Sequence, residues 1–220
     1  MLADHYKEIM GNITAAARRS GRDPGAIRLI AVTKTVGVSE VDHAVKLGIK
    51  DFGENRVQDA SDKVERFSSC NWHFIGHLQS NKVKYVLPQY CMIHSLDRVS
   101  LAGELQKRAQ GLGIEVEVLV QVNVSGENSK FGLSPERLPA FIMKMYAYDR
   151  VNIRGLMTMA PFLDNPEDTR IYFRRLRKLR DDLARPGLEL PELSMGMTND
   201  YEVAVEEGAT MVRIGSALFG

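Results

Sequence analysis

The sequence predicts a single α/β domain over residues 1–220, a (β/α)8 TIM barrel with one extra helix at its N-terminus. Three observations carry this expectation. Eight short β-branched runs follow one another along the chain, each separated from the next by an amphipathic helical stretch, and strict alternation implies parallel strands joined by right-handed crossovers. The length, 220 residues, is at the lower end for one such barrel. The fifth run carries Val116, Val118, Val120, Val122 and Val124 on one face, as expected of a strand packed beneath an outer layer of helices.

The elements follow in order. A helix over about residues 2–20 places Ile9, Ile13 and Ala16 on one face. The first strand is IRLIAVTK (27–34). Ser39 then reads as the cap of a helix through Leu47, with Glu40 and Asp42 where the helix dipole favours them and Gly48 as its stop. Further strands are expected at 49–55, 72–77, 91–96, 114–124, 151–160, 192–196 and 210–220, with helices between them. Ser134-Pro135 opens the helix after the fifth strand. The chain stops at the eighth strand, so the first helix is expected to cover the gap that a last helix would fill. The loops 125–133 and 161–168 are expected to be the most mobile.

Composition narrows the function classes. Lys and Arg number 29 against 28 Asp and Glu, for a formal net charge of +1. Such balance gives no electrostatic reason to expect nucleic acid or an anionic membrane as partner. Cys70 and Cys91 lie in no zinc-type or redox spacing and read as reduced, largely buried thiols. No run is long and apolar enough to span a bilayer, and the charged start has no signal-peptide core. The expectation is a cytoplasmic monomer. The basic stretch Arg174–Arg180 resembles a nucleic-acid patch, but on a helix Phe173, Leu176, Leu179 and Leu183 form the buried stripe and the charges face water or a protein partner. His73 and His77 stand four apart on a strand with no third ligand in reach, which argues against zinc.

Candidate site residues gather at the C-terminal ends of the strands. Alternation puts Ile30, Val32 and Lys34 on one face of the first strand, with Lys34 as its last residue. An inward lysine there is either functional or a rim residue that snorkels to solvent. Gln121 and Asn123 should point into the barrel, as a polar ligand lining or as a water-bridged layer. Loops after the seventh and eighth strands of such barrels commonly bind phosphate. Here Gly196 and Gly215 permit close approach of backbone N–H groups, and Ser194, Thr198 and Ser216 offer hydroxyls. Arg213 should face inward, paired with Glu54 or Glu115 or donating to a ligand ring nitrogen.

Seven stretches, AVTKT (31–35), FGENRVQ (52–58), WHFIGHLQSNK (72–82), LVQVNV (119–124), RGLMTM (154–159), SMGMTND (194–200) and VRIGS (212–216), closely resemble, in order, the YggS/PROSC family of pyridoxal 5'-phosphate (PLP) homeostasis proteins. The barrel is similar to that of alanine racemase-like PLP proteins, and the resemblance covers nearly the whole chain. It implies that Lys34 carries PLP as a Schiff base. It also implies that Ser194, Gly196, Thr198, Gly215 and Ser216 hold the phosphate, that Arg213 faces the pyridine nitrogen, and that Asn55 and Met157 lie near the ring.

An arginine at the ring nitrogen donates a hydrogen bond and keeps that nitrogen unprotonated, which weakens the cofactor as an electron sink. The chain has no residues left for the all-β domain of alanine racemases, and a lone barrel leaves the ring open to solvent. The resemblance therefore implies a PLP carrier or homeostasis protein rather than an enzyme, with apo PLP-dependent enzymes as partners. The alternative is a small racemase-like PLP enzyme with His77 or a tyrosine as second base. Lys130 could be a second PLP-reactive amine and reads more simply as a surface residue.

Overall fold

The computed structural model describes residues 1–127 and 129–220. Eight parallel strands close into a barrel in chain order: β1 (Arg28–Val32), β2 (Asp51–Glu54), β3 (Asn71–Phe74), β4 (Met92–Leu96), β5 (Val116–Gln121), β6 (Val151–Met157), β7 (Glu192–Ser194) and β8 (Met211–Ile214). The ring closes where β8 pairs with β1, Arg28 opposite Met211 through Ala31 opposite Ile214. The crossovers carry α2 (Val38–Lys46), α3 (Val57–Arg66), α4 (Val83–Val86), α5 (Val99–Leu112), α6 (Leu138–Met145), α7 (Arg170–Leu183) and α8 (Tyr201–Glu206). The expected barrel and the helix before it, α1 (Leu2–Arg19), are both present.

Apolar side chains divide into two cores. The larger lies between barrel and helices and takes in the whole valine face of the fifth strand with Ile9, Ile13, Phe173 and Leu176. The smaller fills the barrel interior with Ile30, Met92, Leu119, Met157 and Met211. Burial of each such side chain stabilises the fold by about 1.5–3 kcal/mol. Methionine fills an irregular interior well because its chain is unbranched and flexible.

Several boundaries differ from the sequence reading. β8 ends at Ile214, and residues expected to extend it form a short helix, α9 (Ser216–Phe219). α1 does cover this side of the barrel. His5 Nδ1 lies 3.2 Å from Leu218 O, Asn12 Nδ2 donates to the Tyr201 hydroxyl at 3.0 Å, and Arg19 reaches Glu202 and Glu206. α2 is capped by Gly37, whose N–H donates to Glu40 at 3.1 Å, and Ser39 sits inside the first turn. The cysteines are free and neither is fully buried.

Both loops expected to be mobile are tied down where described. Asn123 Nδ2 donates to Glu127 O and Lys130 O, and its carbonyl oxygen accepts from Ser125 and from Gly126 N. Asn128, within that loop, lies outside the described residues. In the other loop Asn199 Nδ2 donates to Leu163 O at 3.0 Å and Asn165 caps a short turn.

The basic face of α7 is no plain solvated surface. Arg170, Arg174 and Arg177 converge on the carboxylate of Glu207, which is 4 % exposed and follows α8. Burial pushes the Glu207 carboxyl up, but the hydrogen bonds from Arg174 and Arg170 and the charges of Arg177 and Arg174 together outweigh it and hold it below the usual range.

Candidate functional site

Lys34 lies beyond β1, in the turn 33–36, and not as the last residue of the strand. The turn is closed by Thr33 N to Gly53 O at 3.1 Å and Val36 N to Thr33 O at 3.2 Å. The Lys34 side chain is exposed at the barrel mouth and has no hydrogen-bond or ion-pair partner among the described residues. It lines a small open cavity with Thr35, Glu54, Asn55, Arg56 and Asp59. Asn55 Oδ1 is buried there with no hydrogen-bond partner among the described residues. The backbone beneath it is set by Gly76, where a Cβ would lie 2.3 Å from Asn55 O. Any larger residue would push Asn55 out of place.

Arg213 points into the barrel, as expected, and the expected ion pair with Glu54 or Glu115 does not form. Its guanidinium donates to Ser194 Oγ at 2.6 Å and to Thr158 O at 2.8 Å. No carboxylate lies within ion-pair distance among the described residues. Burial lowers its pKa to about 10, opposed by the charge of Asp200, so it is a cation at neutral pH. Glu54 pairs instead with Lys63 from α3 and accepts from Thr33 Oγ1 at 2.6 Å. Glu115 accepts from Asn152 on the opposite, exposed end.

From Ser194 a line of hydrogen bonds runs down the barrel interior. Ser194 Oγ lies 2.9 Å from His94 Nδ1, His94 Nε2 lies 3.0 Å from His73 Nδ1, and His73 Nε2 lies 3.1 Å from Asp51 Oδ1. Burial raises the Asp51 pKa most, but the hydrogen bonds from His73 and Asn71 and the nearby charge of Arg28 together outweigh it, so the group is a carboxylate acceptor. Burial first, and the nearby charge of Arg213, hold His94 well below its usual pKa and hence neutral. One assignment with both rings neutral satisfies every atom of the line. His73 donates from Nε2 to Asp51, His94 donates from Nε2 to His73, Ser194 donates its hydroxyl hydrogen to His94, and Arg213 donates to Ser194.

The two glycine turns meet at the mouth. Ser216 Oγ and Thr198 Oγ1 stand 3.2 Å apart, and Ala217 N donates to Thr198 Oγ1 at 3.4 Å. Gly196 has φ +92°, and a Cβ there would lie 2.5 Å from the Ala204 Cβ. Glycine at 196 is therefore required by the packing of α8 as well as by the turn. Asp200 turns back to accept from Met197 N at 2.7 Å. Gly215 packs against Val32, at the end of β1. The structure thus brings Lys34 and Asn55 to one side of the mouth, and Gly196, Thr198, Gly215 and Ser216 to another.

Three expected residues stand differently. The Ser194 hydroxyl is wholly buried and engaged by His94 and Arg213, below the pair formed by Thr198 and Ser216. Met157 is wholly buried in the interior core, as floor of the mouth. Gln121 and Asn123 spend their amides on the loop after β5 and not on an open lining. His73 and His77 diverge: His73 joins the interior line, while His77 stacks on Phe131 with ring centroids 4.0 Å apart. Lys130 is only partly exposed, with Nζ 2.8 Å from Glu127. The sequence reading missed His94, Lys63 and Glu54 as site components. A histidine in the middle of a strand as apolar as CMIHSL was the available signal for His94. Lys63 looks like any lysine on an amphipathic helix.

The family model described as alanine racemase, N-terminal domain, matches residues 5–220. The pyridoxal phosphate homeostasis protein of Aquifex aeolicus is 46% identical over 220 residues, covering 99% of this chain and 96% of that protein. The structure of PipY from Synechococcus elongatus PCC7942 with PLP bound has a TM-score of 0.86 at 34% identity, covering 100% of each chain. An alanine racemase of Clostridium difficile 630 shares the fold, with a TM-score of 0.78 at 15% identity, covering 99% of this chain and 56% of that one. With its barrel, the ordered motifs and these full-length matches, the chain belongs to the pyridoxal phosphate homeostasis protein family, within the alanine racemase N-terminal domain family.

Proposed function

We propose that residues 1–220 act as one PLP-binding domain serving intracellular PLP homeostasis, with the cofactor attached to Lys34. The observation that carries this reading is an exposed Lys34 amine without a partner and a buried Arg213 without a carboxylate at ion-pair distance, both among the described residues and at the same end of one barrel. The orphaned Asn55 Oδ1 at the Lys34 cavity also fits a polar ligand there. PLP itself supplies an aldehyde, which condenses with an amine with loss of water, and an electron-withdrawing ring.

The geometry supports the roles that the resemblance implies. Lys34 offers the amine. Arg213, a donor only, would face the ring nitrogen and keep it unprotonated. Thr198 and Ser216 hydroxyls, with the backbone at Gly196 and Gly215, take the phosphate. Ser194 acts through Arg213, because its hydroxyl is already engaged by His94 and Arg213. Asn55 borders the ring, and Met157 supports its floor from the interior. The cofactor is held on an open mouth, which suits delivery to apo PLP-dependent enzymes better than water-excluded chemistry. A racemase-like activity would need a second base. His77 is stacked on Phe131, and the Tyr201 hydroxyl is taken by Asn12. Among the described residues no helix is long and apolar enough to cross a membrane.

The test is the visible absorption spectrum of wild type and Lys34→Ala after PLP addition and desalting, followed by borohydride reduction and peptide mapping. A band in wild type alone, with the adduct on the Lys34 peptide, is expected. An adduct spread over other lysines would overturn the reading. Turnover on a panel of amino acids that disappears in Lys34→Ala would convert the carrier into an enzyme.

A further inference from the structure

Beneath the Lys34 turn lies a buried polar cluster to which the reading above gives no role. Lys63 is 4 % exposed, and its ammonium group pairs with Glu54. The same nitrogen donates to Thr33 O at 2.7 Å and to Val36 O at 3.2 Å. Those two carbonyls bracket Lys34 and Thr35. An ammonium has three donors, and all three are spent here. Glu54 Oε1 also accepts from Thr33 Oγ1 at 2.6 Å, so β2 and α3 grip the turn together. The second carboxylate oxygen, Glu54 Oε2, is buried with no partner among the described residues, and Glu54 lines the cavity that Lys34 lines.

A lysine on α3 gains nothing from solvent at this depth, and burying a charge is costly unless it is paired and hydrogen-bonded. What the pair achieves is local. It fixes both ends of the turn that carries the amine, and it leaves one buried acceptor on a residue that lines the amine's cavity. We infer that Lys63 and Glu54 are positioning residues for Lys34: Lys63 holds the turn backbone, and Glu54 Oε2 accepts a hydrogen bond from the Lys34 amine as it approaches the cofactor. This inference rests on Lys34 being the cofactor-bearing amine. A displacement of about 1 Å can cost on the order of a hundredfold in rate, so loosening the turn should show in adduct formation.

The experiment uses the full-length chain and two variants. Glu54→Gln/Lys63→Met removes both charges together, so neither is left buried alone. Thr33→Val removes only the hydroxyl bond to Glu54 and serves if the double variant does not fold. Two quantities are read. The first, without cofactor, is amide hydrogen exchange over residues 33–36, with β5 and β6 as internal controls. The second is the rate at which PLP becomes borohydride-trapped on the Lys34 peptide, divided by trapping on all other lysines. The double variant should exchange faster in the turn alone and trap at least about tenfold more slowly on Lys34, and Thr33→Val should shift both in the same direction by less. A folded variant with unchanged turn exchange, or with faster exchange and an unchanged trapping ratio, overturns the inference. Absence of a Lys34 adduct in wild type sinks the cofactor reading instead. In that case faster turn exchange still supports the backbone clamp, and unchanged exchange overturns it.

Discussion

Lys63 and Arg213 are two cations buried to the same degree, 4 % exposed each, and the protein treats them in opposite ways. Lys63 meets a carboxylate and two carbonyls, so its charge is neutralised within the protein. Arg213 meets a serine hydroxyl and a carbonyl, both neutral. Behind Ser194 stand two histidines, and the only anion on that line, Asp51, lies at its far end. Burial pulls the Arg213 pKa down to about 10, and it still carries its proton at neutral pH. A paired cation is a structural element that is complete in itself. An unpaired one is a standing positive potential, and here it sits at the end of the barrel where an anionic cofactor would dock.

Breaking this contrast should produce effects of different kind and size. Glu54→Ala leaves Lys63 buried without its partner, and a loss of about 3–5 kcal/mol is expected in urea unfolding. Arg213→Met removes a charge that has no ion-pair partner among the described residues. Its stability without PLP should change by less than about 1 kcal/mol, while PLP affinity falls about tenfold or more, the worth of a hydrogen bond to a charged group. Equilibrium titration of absorbance against PLP concentration reads this directly. If Arg213→Met instead unfolded as readily as Glu54→Ala, the two cations would be equivalent and the contrast would fail.

The pH dependence sharpens the same point on the arginine side. His94 has a folded pKa far below its unfolded value, because burial above all, and the nearby charge of Arg213, disfavour its charge. The unfolded state then binds the extra proton. Stability from this group is complete above about pH 6.5 and is lost as pH falls below it, by about 1.4 kcal/mol per pH unit. Denaturation midpoints between about pH 6.5 and 5 should fall in wild type and be flatter in His94→Gln. The smallest expected effect lies away from the site. Glu207→Gln should cost about 1–2 kcal/mol, discounted because its arginine partners reach solvent to different degrees. Its depressed carboxyl contributes above the unfolded pKa of about 4.3 and is lost as pH falls through the folded one. Thermal melts at pH 7 and in acid, compared between wild type and variant, check both statements.

Where the sequence reading failed at the site, the failures share a cause. Alternation along one strand indicates which face a residue takes, and on that basis Arg213 was correctly turned inward. Alternation says nothing about what it meets, so an ion pair with Glu54 or Glu115 stands open beside a ligand contact, and that pair does not form. Glu54 is claimed by Lys63, a residue whose helix pattern looks solvent-facing until α3 is laid over the β1 turn. Lys34 was placed at the correct end of the barrel but on a strand, because β-branched Val32 and Thr33 continue the strand pattern past the point where Val36 N closes the turn on Thr33 O. The loop 125–133 reads as mobile from its composition, yet Asn123 and Gln121 hold its described residues by side-chain bonds that no local pattern encodes.

The sequence by itself determined the number, order and direction of the strands, the valine face turned to the helices, and the gathering of Lys34, Arg213 and the two glycine turns at one end. These depend on period and on local turn chemistry, which a linear chain carries in full. Only the tertiary structure decided that His94 meets Ser194, 100 residues away, that His73 pairs with His94 and not His77, and that Lys63 grips the Lys34 turn. Closure of the barrel sets these contacts. It brings inward side chains from distant strands into one narrow interior, where each buried donor must find an acceptor among whatever the other strands present.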